Sequence, residues 1–105
     1  MDDAEFNRLA AETLERVRTA LEETGADVDV QEKGEGVLEL EFADGSKMVV
    51  NRHGAAQELW VAARSGGFHF RWDGSKWRDS RSGAEFFAAL STLLSAQSGV
   101  PVQLK

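Results

Sequence analysis

The side chains best able to do chemistry in this chain are carboxylates, and they are unevenly spread. Residues 1–32 carry ten acids (Asp2, Asp3, Glu5, Glu12, Glu15, Glu22, Glu23, Asp27, Asp29 and Glu32) against three bases (Arg8, Arg16 and Arg18). Residues 33–105 carry eight acids and nine bases, so the first third supplies the whole excess behind the net charge of −6. No base occurs between Glu22 and Glu32. A solvated helix face that keeps the protein soluble would explain such a run. A surface made for a specific cationic partner would explain it equally, and the asymmetry makes that the sharper reading.

Other chemistry is sparse. There is no cysteine, so the chain has no disulfide, no thiolate metal site and no cluster ligated by its own thiolates. Phosphate loops, GxGxxG fingerprints, HExxH pairs and GxSxG elbows are all missing. His53 and His69 are the only imidazoles and read as solvated or loop histidines rather than catalytic bases. Asp27-Val28-Asp29 is not a calcium loop, because no third acid or glycine follows at the required positions. An acidic balance argues against general affinity for nucleic acid. No apolar run reaches the roughly 18 residues of a membrane span. The start, Met1-Asp2-Asp3, has neither the bases nor the apolar stretch of a signal peptide. The expectation is a cytoplasmic protein.

These residues need elements to position them. Phe6, Leu9, Ala10, Leu14, Val17 and Leu21 recur at three- and four-residue spacing and predict a helix over 3–23. On its polar face Glu15 and Glu22 point almost the same way, with Glu23 beside them, and Glu12 and Arg16 are spaced as a helix-supporting pair. Glu22 and Glu23 put negative charge on the last turn, where the helix dipole prefers cations. Gly25 then supplies the stop.

From Asp27 to Arg78 the apolar period changes to two, and Asp44-Gly45, Gly66-Gly67 and Asp73-Gly74 mark tight turns between short strands. A second helix is expected from a Ser82/Glu85 capping box to about Ala96, followed by a short extended tail, residues 100–105. The sum is an α+β domain spanning 1–105. It is a two-layer sandwich with both helices on one face of a single antiparallel sheet of five to six strands. The alternation sends Leu59 and Val61 inward and Trp60 outward, with Asn51 nearby on the preceding strand. A register slipped by one would bury Trp60 instead. Trp72 and Trp77 read as core.

An ordered set of short motifs runs through the second half of the chain. They are Gly45-Ser46-Lys47, Asn51-Arg52, Leu59-Trp60, Gly66-Gly67-Phe68-His69-Phe70, Asp73-Gly74, Trp77, and Ser80-Arg81-Ser82-Gly83 before Glu85-Phe86-Phe87. In order and spacing this set resembles the frataxin family, in its bacterial branch, whose fold is two helices on an antiparallel sheet. The resemblance implies a non-enzymatic role in iron–sulfur cluster assembly, with weak Fe2+/Fe3+ binding on an acidic ridge and no organic cofactor. It maps the ridge to Glu22, Glu23, Asp27 and Asp29, with Glu15 behind them. Hard carboxylate oxygens on an open surface suit such weak, mostly hydrated binding of Fe2+, Fe3+, Mn2+ or Ca2+. The implied partners are a cysteine desulfurase and its scaffold protein, met through Trp60, Asn51, Arg52, Glu22 and Glu23. The expected resting state is a monomer, with metal-driven oligomers left open. A ferroxidase or an iron store working through the same carboxylates stands as the alternative.

Overall fold

The structure is a computed structural model that describes residues 1–104. The apolar stripe folds as helix α1, Asp3–Thr24. Asp2 caps its start, Oδ1 accepting from the Glu5 N–H at 2.8 Å, which also sets a carboxylate at the positive end of the helix. Gly25 ends it at φ 68°, a left-handed conformation that costs an ordinary L residue about 1 kcal/mol. Phe6, Ala10, Leu14, Val17 and Leu21 are buried as the spacing requires, whereas Leu9 is half-buried. Thr13 joins them, a polar residue that the stripe omitted. Its hydroxyl donates to the Leu9 carbonyl and accepts from Trp77 Nε1 at 2.9 Å, so it is satisfied inside the core. The pairing on the polar face differs from expectation. Glu12 is bridged by Arg8 at 3.2 Å, and the Arg16 guanidinium lies 4.2 Å over the Phe87 ring.

Six strands follow: β1 Val28–Glu32, β2 Val37–Phe42, β3 Lys47–His53, β4 Glu58–Ala63, β5 Gly66–Trp72 and β6 Trp77–Asp79. They form one antiparallel meander in chain order, at the upper end of the expected number. Leu38, Leu40, Phe42, Met48, Val50, Leu59, Val61, Phe70 and Trp77 line the inner face. They share a single core with the apolar sides of both helices. Trp77 is buried and Trp72 half-buried beside it, their rings edge to face at 5.4 Å.

Helix α2, Phe86–Ser98, starts later than the sequence suggested. Glu85, not Ser82, is its cap, accepting from Phe87 N at 2.7 Å and more weakly from Ala88 N. Buried Asp79 accounts for the difference. Its Oδ1 accepts from the Arg81 and Ser82 N–H groups, folding that stretch into a turn, and a β-bridge from Arg78 to Glu85 keeps the chain extended up to the helix. The far end of α2 is fixed by Gln97, whose buried amide reaches the Lys47 carbonyl and the Arg64 N–H. The tail packs back on the helix, with the Leu104 N–H donating to Ser91 Oγ at 2.9 Å. Lys105, the last residue of the expected tail, lies outside the described residues.

Candidate functional site

Two surfaces emerge from this frame. The first is the acidic edge where α1 hands over to β1. Glu22 and Glu23 are exposed on the last turn of α1, which carries no base. Gly25 turns the chain, and the two-residue alternation of β1 directs Val28 and Val30 toward the core while Asp27 and Asp29 stay exposed. Asp29 sits directly opposite Glu41 on β2, a like-charge neighbour that lengthens the negative surface across the strands.

Glu15 behaves differently from the other candidates. Arg18 bridges it at 3.0 Å and simultaneously reaches Glu32 on β1 at 2.8 Å. Its hydrogen bond with Glu15, helped by the charges of Glu15 and Glu32, holds the guanidinium above its ordinary value. Glu15 and Glu32 are therefore engaged, while Glu22, Glu23, Asp27 and Asp29 enter no ion pair among the described residues. Nor do three or more His, Asp or Glu residues converge on one point among the described residues. The donor set is hard oxygen, open and spread out. It suits a cation that keeps most of its water and lacks the closed shape that would select one metal.

Beside this edge a cleft of about 270 Å³ opens between α1 and the β1–β2 turn, lined by Leu14, Glu15, Glu32, Glu35 and Arg52 among others. Arg52 lies here, paired with Glu35 at 3.0 Å. Gly36 makes room for it, since a Cβ at that position would stand 2.7 Å from Arg52 Cγ. Arg52 and its neighbour Asn51, both expected among the partner-binding residues, alternate to opposite sides of β3. Only Asn51 shares a face with Trp60.

The second surface is the outer face of the sheet. The register sets Trp60 opposite Asn51 on β3 and His69 on β5, so the one-residue slip that would have buried Trp60 does not occur. The indole is sandwiched. The His53 ring stacks at 3.8 Å and 7° from it, and the His69 ring at 4.5 Å and 14°. His53 is itself fixed, its Nδ1 accepting from the Ala56 N–H at 3.2 Å.

Two residues along β4, on the same side, Glu58 is 6% exposed. Its Oε2 accepts from Arg71 Nε at 2.7 Å and its Oε1 from Trp60 Nε1 at 2.9 Å. The Arg71 hydrogen bond leads in holding the carboxyl below its ordinary value; burial opposes it, and the bond from Trp60 adds to it. Neither Glu58 nor the stacking of the two histidines was read from the sequence. The available signal was parity, since in a strand residues 58 and 60 share a face, as do 51 and 53, and 69 and 71.

A family model described as a frataxin-like domain matches residues 1–100. The chain is 57% identical over 105 residues, covering all of both chains, to a protein of Dechloromonas aromatica named iron-sulfur cluster assembly protein CyaY. A protein of the same name from Cupriavidus metallidurans is 50% identical over 109 residues, covering 100% of this chain and 97% of the relative. Among solved structures, a frataxin from Psychromonas ingrahamii, described within the CyaY protein family, superposes with a TM-score of 0.92 at 35% identity, covering 100% of this chain and 99% of the other. The chain belongs to the frataxin-like family, among its CyaY members.

Proposed function

We propose that this chain acts in iron–sulfur cluster assembly as a non-enzymatic adaptor. In this reading it binds iron loosely at the acidic edge and engages the cysteine desulfurase and its scaffold through two surfaces. The observation that carries the reading is the coexistence of an open acidic edge with a solvent-facing, pre-stacked Trp60, in a chain so similar over its full length to proteins named for cluster assembly. Each surface has its own physics. Glu22, Glu23, Asp27 and Asp29 attract a basic partner surface at long range and hold a hydrated Fe2+ by outer contacts. Trp60 supplies a large, rigid contact of the kind that dominates interface energies.

Ferroxidase or storage chemistry at the same carboxylates competes with this reading. It needs facing carboxylates and a histidine closing on a pair of irons. The open spread of the edge and the distance in sequence and strand from Glu22 to His53 and His69 favour loose binding instead. The test is an NMR titration with Fe2+ under anaerobic conditions, followed by addition of the desulfurase–scaffold complex. The expected early shifts lie at Glu22, Glu23, Asp27 and Asp29, with Trp60 responding only to the protein complex. Early shifts centred on His53 and His69 would overturn the assignment, and iron-dependent oxygen consumption would favour the ferroxidase.

A further inference from the structure

A carboxylate on the solvent face of a sheet ordinarily points into water, yet Glu58 is 6% exposed. Arg71 Nε donates to its Oε2 at 2.7 Å, and that interaction alone would neutralise the charge and hold the group. The second oxygen is used otherwise, accepting from the indole Nε1–H of Trp60 at 2.9 Å. An indole has one donor and no acceptor, so this bond uses the whole polar capacity of the ring. The third approach is His69 Nδ1, 3.9 Å from Oε1. Strand register explains the convergence, because Glu58 pairs with Arg71 while Trp60 pairs with His69.

The bond acts on a ring already confined on both faces. His53 reaches it from β3 and His69 from β5, so rotation about the ring's attachment must break a stack. Glu58 removes the freedom that stacking leaves, which is sliding and tilting within the gap. A partner then meets the rim of a three-ring stack rather than an open indole face. That excludes recognition by stacking on, or placing a cation over, the Trp60 face, and favours close shape fit along its edge.

We propose that Glu58 is a positioning residue for Trp60, fixing the indole before any partner arrives. The proposal rests on the reading of Trp60 as a partner anchor. Its consequence is that affinity should depend on a residue the partner barely touches, since ordering a side chain beforehand spares the complex that entropy.

The experiment reads motion and binding separately, on the full chain. Indole Nε1–H heteronuclear NOEs are measured, with the Trp60 signal assigned by its loss in Trp60→Phe and the buried Trp77 indole as rigid reference. In the wild type the Trp60 indole is expected to be as rigid as that of Trp77. Glu58→Ala should loosen it and weaken the desulfurase–scaffold complex about three- to tenfold. Glu58→Gln keeps one acceptor oxygen, which serves Nε1 at the expense of the Arg71 bond, and should restore part of the rigidity and part of the affinity. A wild-type indole that is already mobile overturns the proposal without any variant, so a poorly folding Glu58→Ala does not protect it. Two binding results also overturn it: Glu58→Ala loosening the ring with affinity unchanged while Trp60→Ala weakens it, or Glu58→Gln as weak as Glu58→Ala with the ring still rigid. If Trp60→Ala itself binds normally, the anchor reading fails, and the NOE comparison still decides what Glu58 does to the ring.

Discussion

The acidic edge and the Trp60 face lie on one small domain and are built in opposite ways. At the edge, Glu22, Glu23, Asp27 and Asp29 are exposed and enter no ion pair among the described residues, and Asp29 stands opposite another acid, Glu41. On the outer face, Glu58 is buried and doubly bonded, and Trp60 is sandwiched between two imidazoles. The edge, in the proposed reading, would act through a field that needs no fixed geometry and fades within a Debye length, about 8 Å at physiological salt. The Trp60 face, in the proposed reading, would act through contact and work only with its parts in place. A partner drawn by the first and locked by the second would show fast, salt-dependent association and slow release.

The largest expected effect tests the contact half. Trp60→Ala should weaken the desulfurase–scaffold complex by at least about 2 kcal/mol, almost wholly through faster dissociation. Its fold should suffer less than that of Trp77→Ala, which removes a buried ring and should cost about 3–5 kcal/mol. Surface plasmon resonance beside urea unfolding of both variants makes the comparison. A Trp60→Ala stability loss matching that of Trp77→Ala would move Trp60 from anchor to structural support.

Neutralising the edge should have a smaller effect of a different kind. Glu22→Gln, Glu23→Gln, Asp27→Asn and Asp29→Asn together should slow association about tenfold at low salt and leave dissociation nearly unchanged. The gap from wild type should close as salt rises. Dissociation that speeds up while association holds would show that the edge makes fixed contacts and that the contrast between the surfaces is false.

Acid should separate the surfaces again through Glu58. Its folded-state carboxyl lies below the ordinary 4.5, chiefly through the Arg71 hydrogen bond. Its contribution to stability is therefore complete above that ordinary value and drains as pH falls through the depressed one. Glu58→Gln should show a shallower loss of urea midpoint between neutral pH and about pH 3. An acid limb as steep as that of wild type would assign the loss to other carboxyls, of which buried Asp79 is also held low. There, burial pulls the group up and the Ser82 and Arg81 N–H bonds outweigh it.

What the sequence made legible followed local rules. The stripe from Phe6 to Leu21, the stop at Gly25 and the two-residue alternation each depend on near neighbours in the chain, and each gave the right element and face. That alternation sufficed to turn Trp60 outward. The misses involve side-chain bonds that neither spacing nor alternation announces. Asp79 set the start of α2 by gathering N–H groups that the capping-box pattern at Ser82 could not anticipate. Arg18 reaches across to Glu32 while also bridging Glu15, a pairing that the spacing did not announce. Glu58 was missed because its burial depends on Arg71, thirteen residues away, and on an indole hydrogen bond with no sequence signature.

The smallest effect runs against the usual direction of mutation. Glu22 and Glu23 place two negative charges on the last turn of α1, at the negative end of the helix dipole, and that turn carries no base of its own. Each acid so placed costs the fold a few tenths of a kcal/mol, and the crowding with Asp27 and Asp29 adds to it. Glu22→Gln with Glu23→Gln should therefore raise thermal stability modestly while lowering affinity for the partner complex. The two effects share a cause and should shrink together in salt. Millimolar Mn2+ should stabilise the wild type, by no more than about 1 kcal/mol for a weak site, and stabilise the double variant less. Thermal melts of both proteins, at low salt, at moderate salt and with Mn2+, give six midpoints for this comparison. If the double variant melts lower than wild type at low salt, the two glutamates support the helix end, and the case for an edge kept acidic at the expense of stability collapses. If it melts higher and Mn2+ still stabilises both proteins equally, the repulsion is real but the cation binds elsewhere. Asp29 and Glu41, facing each other across β1 and β2, would then be the first pair to neutralise.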